Sequence, residues 1–184
     1  MEFAKDKIQN AFLELLMNEP LHSLTIKRIT EKAQIHRSTF YVYYINKEML
    51  YEEMMDDLLF ELSLLIQPLG EQTLEDIKRD YFEEHQPLGA AVRFLEHIQE
   101  KQSFYRVFIH DIRFQQNFAQ IVSDGVYESN ILPRIYTQHL GYGAIGLVIE
   151  WLRDMSVYTI EEVALYLTRI VIQAMLDFQQ LKSR

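Results

Sequence analysis

The stretch Leu24–Leu50 reads LTIKRITEKAQIHRSTFYVYYINKEML, and its spacing decides what the chain folds into. Ile26, Ile29 and Ala33 recur at helical intervals behind Thr25, whose hydroxyl suits an N-cap, so a helix is expected over Ile26–Ala33. Gln34-Ile35-His36 is too short for anything but a tight connector. A third short helix is expected at once, from Arg37 to about Tyr43. Two short helices joined by such a turn have the geometry of a helix-turn-helix, whose second helix enters the DNA major groove. Ile35, Phe40 and Tyr44 fall on the side that packs inward. Arg37, Ser38, Thr39, Tyr41, Val42 and Tyr43 are left on the other. An arginine and hydroxyls can bond phosphates or base edges, and a small apolar side chain can meet a thymine methyl. For Tyr43 packing remains an alternative to contact, and Lys32 reads as part of an ordinary solvated face.

Upstream, Ile8, Ala11, Phe12, Leu15 and Leu16 mark a helix over Ala4–Met17, the first of three in the head. Downstream, helical periodicity runs from Lys47 to Ile66 and meets a stop at Pro68-Leu69-Gly70. Residues 71–85 are charged and ambiguous between helix and loop. Ala91, Phe94, Leu95 and Ile98 mark the next helix. Ser103 is the expected cap of another, bearing Phe104, Tyr105, Phe108 and Ile109. Phe118, Ile121, Val122 and Val126 carry a further one up to Pro133. His139–Leu152 is apolar on nearly every side and so is expected to be buried on several faces. Thr159 and Glu162 form a capping box ahead of a long helix bearing Val163, Leu167, Ile170, Val171, Ala174 and Phe178. The expectation is an all-α chain of about nine helices, with a DNA-binding domain over residues 1–47 and a helical domain over residues 48–184.

Composition agrees with that architecture. Six Gly and four Pro in 184 residues are too few for a sheet protein with many tight turns, and 48% hydrophobic residues provide for a core. The net charge of −9 argues against a nucleic-acid partner until it is divided along the chain. Residues 1–47 hold seven Lys or Arg and five acids, a net of +2, whereas the remainder is at −11. Phosphate attraction is local to one face, decaying over about 10 Å in salt, so the basic head permits DNA.

The absence of Cys excludes disulfides and thiolate chemistry and fits a reducing compartment. Charges within Met1–Asn10 argue against a secretory signal, and no run of 18 apolar residues spans a membrane, so a cytoplasmic location is expected. The six His (His22, His36, His85, His97, His110, His139) lack paired ligand spacing, so no metal is expected. Neither a phosphate-cradling Gly-rich loop, a nucleophile elbow nor a carboxylate pair stands out, so no catalytic residue is assigned.

The run from Leu24 to Leu50 resembles the signature of the TetR family of bacterial transcriptional regulators. Thr25 with Ile29 and Ala33, then Thr39-Phe40-Tyr41 with Tyr43-Tyr44, then Asn46-Lys47-Glu48 with Leu50 sit at the family's spacing. Tyr142–Gly146 followed by Glu150-Trp151-Leu152 is similar to the penultimate helix of a subgroup common in Gram-positive bacteria. Two positions depart from the pattern: Gln34 stands in the turn where Gly is usual, and Ser38 where the reading helix often has Gly. The resemblance implies DNA contacts from Thr25, Lys27, Arg37, Ser38, Thr39, Tyr41, Val42, Tyr43 and Lys47. It implies a homodimer through the last two helices, with Gly143, Ile145, Gly146, Ile149, Leu167, Ile170, Val171, Ala174 and Phe178 at the interface and Gly141, Gly143 and Gly146 permitting close approach. A small apolar or amphipathic effector would enter a pocket lined by Phe94, Phe104, Tyr105, Phe108, Phe118, Tyr142 and Trp151. The implied function is repression from a near-palindromic operator, relieved by that effector. The alternative is a coregulator acting mainly through protein contacts of the second lobe.

Overall fold

The structure is a computed structural model of the chain and describes residues 3–66, 74–127 and 132–182. The described residues are all-α, with ten α-helices, a single turn of 3₁₀ helix at Leu21–Ser23 and no strand. In chain order the helices are α1 (Ala4–Leu16), α2 (Ile26–Lys32), α3 (Arg37–Tyr43), α4 (Lys47–Ile66), α5 (Leu74–Phe82), α6 (Gly89–Glu100), α7 (Gln102–Phe108), α8 (Ile112–Tyr127), α9 (Arg134–Arg153) and α10 (Ile160–Lys182). They form two compact units. Met1–Leu58 and Ser103–Phe108 make the first, Leu59–Gln102 and Ile109–Arg184 the second.

In the first unit the apolar stripe of α1 (Ile8, Ala11, Phe12 and also Leu13) is buried against α2 and α3. Leu24, Ile29, Phe40, Tyr44 and Leu50 complete that core. Tyr51 and Phe108 meet edge to face, their ring centroids 4.9 Å apart, so α7 contributes its aromatic side to this unit. α2 begins where expected: Thr25 Oγ1 accepts the Arg28 N–H at 3.3 Å.

The end of α2 explains how the chain makes the turn without a Gly at that position. Gln34 has φ 54°, in the left-handed region. The Gln34 N–H donates to the Glu31 carbonyl at 3.2 Å and the Ile35 N–H to the Thr30 carbonyl at 3.1 Å. These two bonds form a Schellman motif, which terminates the helix and turns the chain toward α3. A side chain in this conformation is strained by roughly 1–2 kcal/mol, strain that Gly lacks. Gln34→Gly is therefore expected to stabilise the protein by about 1 kcal/mol, raising its melting temperature by roughly 2–4 °C in calorimetry.

The second unit is built on α8 and α9, which run against each other along their length, with α10 packed on α6 and more lightly on α5 and α9. Ile77, Leu88, Val126, Leu132, Leu140, Ile172 and Met175 form one of its buried clusters. The ambiguous charged stretch contains a true helix, α5, whose Ile77 enters that cluster. Helix α7 begins one residue before Ser103, which lies inside it rather than at its cap. The box ahead of α10 forms as its spacing predicts: Glu162 accepts the Thr159 N–H at 2.8 Å and Thr159 accepts the Glu162 N–H at 3.2 Å. The stop at Pro68-Leu69-Gly70 lies outside the described residues.

Buried polar groups lock this unit. Thr168 Oγ1 accepts the Leu88 N–H at 2.9 Å, fixing the start of α6 on α10, and itself donates to the Ala164 carbonyl at 2.7 Å. Ser123 donates to Thr137 Oγ1 at 3.0 Å between α8 and α9. His97, 9% exposed, is held below the usual 6.5 of imidazole by burial, with nearby Glu61 opposing that shift and Lys101 adding to it. At higher pH the ring is neutral folded or unfolded. Below that value the unfolded chain takes up a proton that the folded chain resists, so stability falls as acid is added. His97→Gln is expected to flatten the loss of stability between about pH 7 and pH 5, as read by urea denaturation midpoints.

Candidate nucleic-acid interface

Helix α3 divides into an anchored side and an open side. Phe40 is wholly buried and Tyr44, its C-cap, is 1% exposed. Arg37, Ser38, Tyr41, Val42 and Tyr43 are exposed and Thr39 is half-buried. An apolar side chain such as Val42, 77% exposed on a seven-residue helix, has no core to serve and is free for contact. Arg37 Nη2 donates to the Tyr41 hydroxyl at 2.9 Å, with its guanidinium carbon 5.5 Å from the ring centroid. That pairing across one helical turn orients both polar ends together. Tyr41 in turn stands edge-on to Phe40 at 5.8 Å, so the buried ring supports the exposed one.

Beside α3, the starts of α2 and α4 approach each other. Thr25, Lys27, Arg37, Asn46, Lys47 and Glu48 are among the residues lining a notch of about 300 Å³. Asn46 caps α4 by accepting the Met49 N–H at 2.8 Å. The Lys47 ammonium donates to the Leu21 carbonyl at 2.8 Å and to the Leu24 carbonyl at 2.7 Å, closing the loop ahead of α2. Its charge is thus tied to backbone dipoles, a role that the spacing of residue types does not reveal. The remaining bases differ in what holds them. Arg28 makes a bidentate pair with Glu19, which lowers the pKa of that exposed carboxyl through the hydrogen bond. Lys32 pairs with Glu14 at 2.5 Å. Lys27 meets Glu31 only at 3.8 Å, with 77% of its side chain exposed. Arg37 and Lys27 are therefore the bases best placed to leave their present contacts for a phosphate.

Residues 8–54, which contain all of this geometry, match the pattern of the bacterial regulatory proteins of the tetR family. The head of the chain thus carries the TetR-family pattern. Over 180 residues it is 22% identical to the HTH-type transcriptional regulator YxbF of Bacillus subtilis (strain 168), covering 94% of this chain and 46% of that protein. It is 29% identical over 112 residues to DhaS, the dhaKLM operon transcriptional activator of Lactococcus lactis subsp. lactis (strain IL1403), covering 60% and 52%. The chain thus spans about half the length of the curated relatives it matches. Its fold is also that of a TetR transcriptional regulator from Streptococcus agalactiae 2603V, with a TM-score of 0.63, 23% identity and coverage of 91% and 93%.

The second unit contains a cavity of about 990 Å³. Its walls include Ile77, Leu88, Phe94, Leu140, Trp151 and Met175, and charged side chains gather toward the α9–α10 junction, at Glu150, Arg153, Asp154 and Glu162. Of the aromatic side chains expected around a pocket, Phe94 and Trp151 line it. Phe118 is buried between Phe94 and Phe114, with ring separations of 5.8 and 6.0 Å. Phe104, Tyr105 and Phe108 belong to the first unit, and Tyr142 is exposed. Aromatic content alone does not say which unit a ring joins.

The residues expected at a subunit interface also separate. Ile145 is buried within the chain, and Val171, Ala174 and Phe178 pack against the Ile77 cluster. Phe178 meets Tyr136 there at 5.7 Å. Gly143 and Gly146 face open space, Ile149 and Leu167 are half-buried, and Ile170 is exposed. Gly141 faces Ala119 of α8, so the close approach it permits is within the chain rather than between subunits.

Proposed function

We propose that the protein is a homodimeric transcriptional repressor that reads a near-palindromic operator with α3. The observation carrying this reading is the open side of α3, where Arg37, Ser38, Tyr41, Val42 and Tyr43 stand exposed around the buried Phe40 and Tyr44. Arg37 is assigned to a guanine edge, Val42 to a thymine methyl, and Ser38, Thr39, Tyr41 and Tyr43 to phosphates or base edges. Thr25 and Lys27 belong to the phosphate contacts beside the notch, and Lys47 holds the loop that presents them. The DNA-binding head is assigned to residues 1–47 and the effector and dimerisation domain to residues 48–184, although the compact units divide after Leu58 and Ser103–Phe108 fall with the head. Two heads would address half-sites about 34–36 Å apart.

The dimer is assigned to the outer faces of α9 and α10, through Gly143, Gly146, Ile149, Leu167 and Ile170. Gly143, Gly146, Leu167 and Ile170 also line the cavity, so an occupant and the subunit seam share walls. An apolar or amphipathic effector bound there would favour one arrangement of the dimer and lower operator affinity by its differential affinity for the two states. A second reading, activation, is supported by the relative DhaS, which is named an activator.

The test is a gel shift with the DNA upstream of the protein's own gene, paired with a reporter driven by the same DNA. Salt-sensitive, sequence-specific binding with reporter output rising when the gene is deleted supports repression. Output that falls on deletion favours activation, and the absence of any specific shift at low salt would sink both.

A further inference from the structure

A helix of seven residues is too short to hold itself, and α3 has no side-chain hydrogen bond at its N-cap, His36. Its pose must be imposed from outside. Phe40 fixes its depth, but a single buried ring leaves rotation about the helix axis poorly defined. The second anchor lies at the other end. The Tyr44 N–H closes the last turn on the Phe40 carbonyl at 2.9 Å, and the Tyr44 hydroxyl reaches out of the core to donate to Glu53 Oε1 at 2.7 Å. That same oxygen receives Gln9 Nε2 at 3.3 Å and Lys5 Nζ at 3.2 Å, both from α1. One carboxylate on α4 therefore joins the end of α3 to α1 and to α4.

We propose that Glu53 is a positioning residue for the reading helix: its carboxylate, through Tyr44, sets the angle at which α3 presents Arg37–Tyr43. The proposal rests on α3 being the DNA-reading helix. A charged acceptor suits the task, because hydrogen bonds to a carboxylate are shorter and stronger than neutral ones. Tyr44 is the fitting donor because its ring is locked in the core while its hydroxyl meets a partner at the edge. Burial and Glu53 together hold that phenol well above the usual range, which keeps it a donor at every physiological pH. The link runs through the oxygen rather than through bulk, so removing the hydroxyl or the carboxylate frees α3 without emptying the core.

The experiment has two arms on the full chain, with Tyr44→Phe, Glu53→Ala and Glu53→Gln. The first is native-state hydrogen exchange. In Tyr44→Phe and Glu53→Ala, amides at the end of α3 are expected to exchange about 10-fold faster, while those of α1 and α2 change far less. Glu53→Gln, which keeps an acceptor oxygen, is expected to recover most of the protection. The second arm compares binding to a duplex selected by the wild-type protein from a randomised pool with binding to a scrambled duplex of equal length. The specificity ratio is expected to drop about 10-fold in the first two variants and to return with glutamine. Uniform acceleration of exchange across α1, α2 and α3, or unchanged exchange at α3, overturns the positioning role. A wild-type protein that selects no sequence overturns the DNA-reading assignment instead, and the exchange arm still decides the link between Glu53 and α3.

Discussion

Gly141→Ala is expected to destabilise the protein by about 2–4 kcal/mol, lowering its melting temperature by roughly 5–15 °C. A Cβ at Gly141 would overlap the Ala119 carbonyl oxygen and lie 3.1 Å from its carbon and 3.3 Å from the Ala119 Cα. All three are backbone atoms in the middle of α8, so no rotamer change relieves the clash. The helices would have to separate, and the buried Ser123–Thr137 bond between them would lengthen with that movement. Gly143 and Gly146, on the same helix, provide the contrast. A Cβ at either meets nothing within 4 Å in the single chain. On helix propensity alone, alanine at each would stabilise the monomer by about 0.5–1 kcal/mol. If the partner subunit packs closely over these positions, the same substitutions weaken the dimer while leaving monomer stability intact. Thermal melts at several concentrations, with sedimentation to follow dimer dissociation, separate the two effects. A Gly141→Ala protein that melts like the wild type would mean that α8 and α9 leave room for a methyl group between them.

The contrast among these glycines marks where sequence reading stops. Three glycines within six residues announce that something comes close to α9, but not what. A helix turns 100° per residue, so Gly141 and Gly143 face different neighbours, and only the position of α8 assigns each one. The aromatic residues teach the same lesson: Phe94 and Phe108 are alike in composition and spacing, yet one lines the cavity and the other joins the first unit. Features governed by local chemistry were legible. Thr25 at its cap and the box of Thr159 and Glu162 each involve atoms no more than three residues apart, whereas the left-handed backbone at Gln34 could not be read from its residue type. The inward and outward sides of α3 were legible for the same reason. The bond of Lys47 to carbonyls 23 and 26 residues away was not, nor was that of Tyr44 to Glu53 on the next helix. Side chains with flexible stems or terminal hydroxyls choose partners in three dimensions, and their residue type is equally consistent with contact to DNA.

Arg37→Ala and Tyr41→Ala are each expected to lower affinity for the operator by far more than affinity for random duplex. A bidentate contact to one base carries about 1–3 kcal/mol of discrimination. A homodimer on a palindrome makes each contact twice, so the expected loss per substitution is about 2–6 kcal/mol of specific binding, from tens-fold to beyond a thousand-fold. The two losses should not add. Arg37 donates to the Tyr41 hydroxyl, so removing either releases the other from its oriented pose, and the double variant should lose less than the sum. Lys27→Ala should behave differently: without a base to read, it weakens operator and random duplex alike and reduces the salt slope by roughly one for each phosphate left without its ammonium. Lys32→Ala is the control, since that ammonium is paired with Glu14 rather than turned to the reading face. Anisotropy titrations of operator and scrambled duplexes at several salt concentrations distinguish all four. If both affinities fall in parallel for Arg37→Ala, the guanidinium grips the backbone and the sequence is read elsewhere. If operator binding survives both α3 substitutions, α3 is not the reading helix, and the buried pair Phe40 and Tyr44 supports a structural element instead.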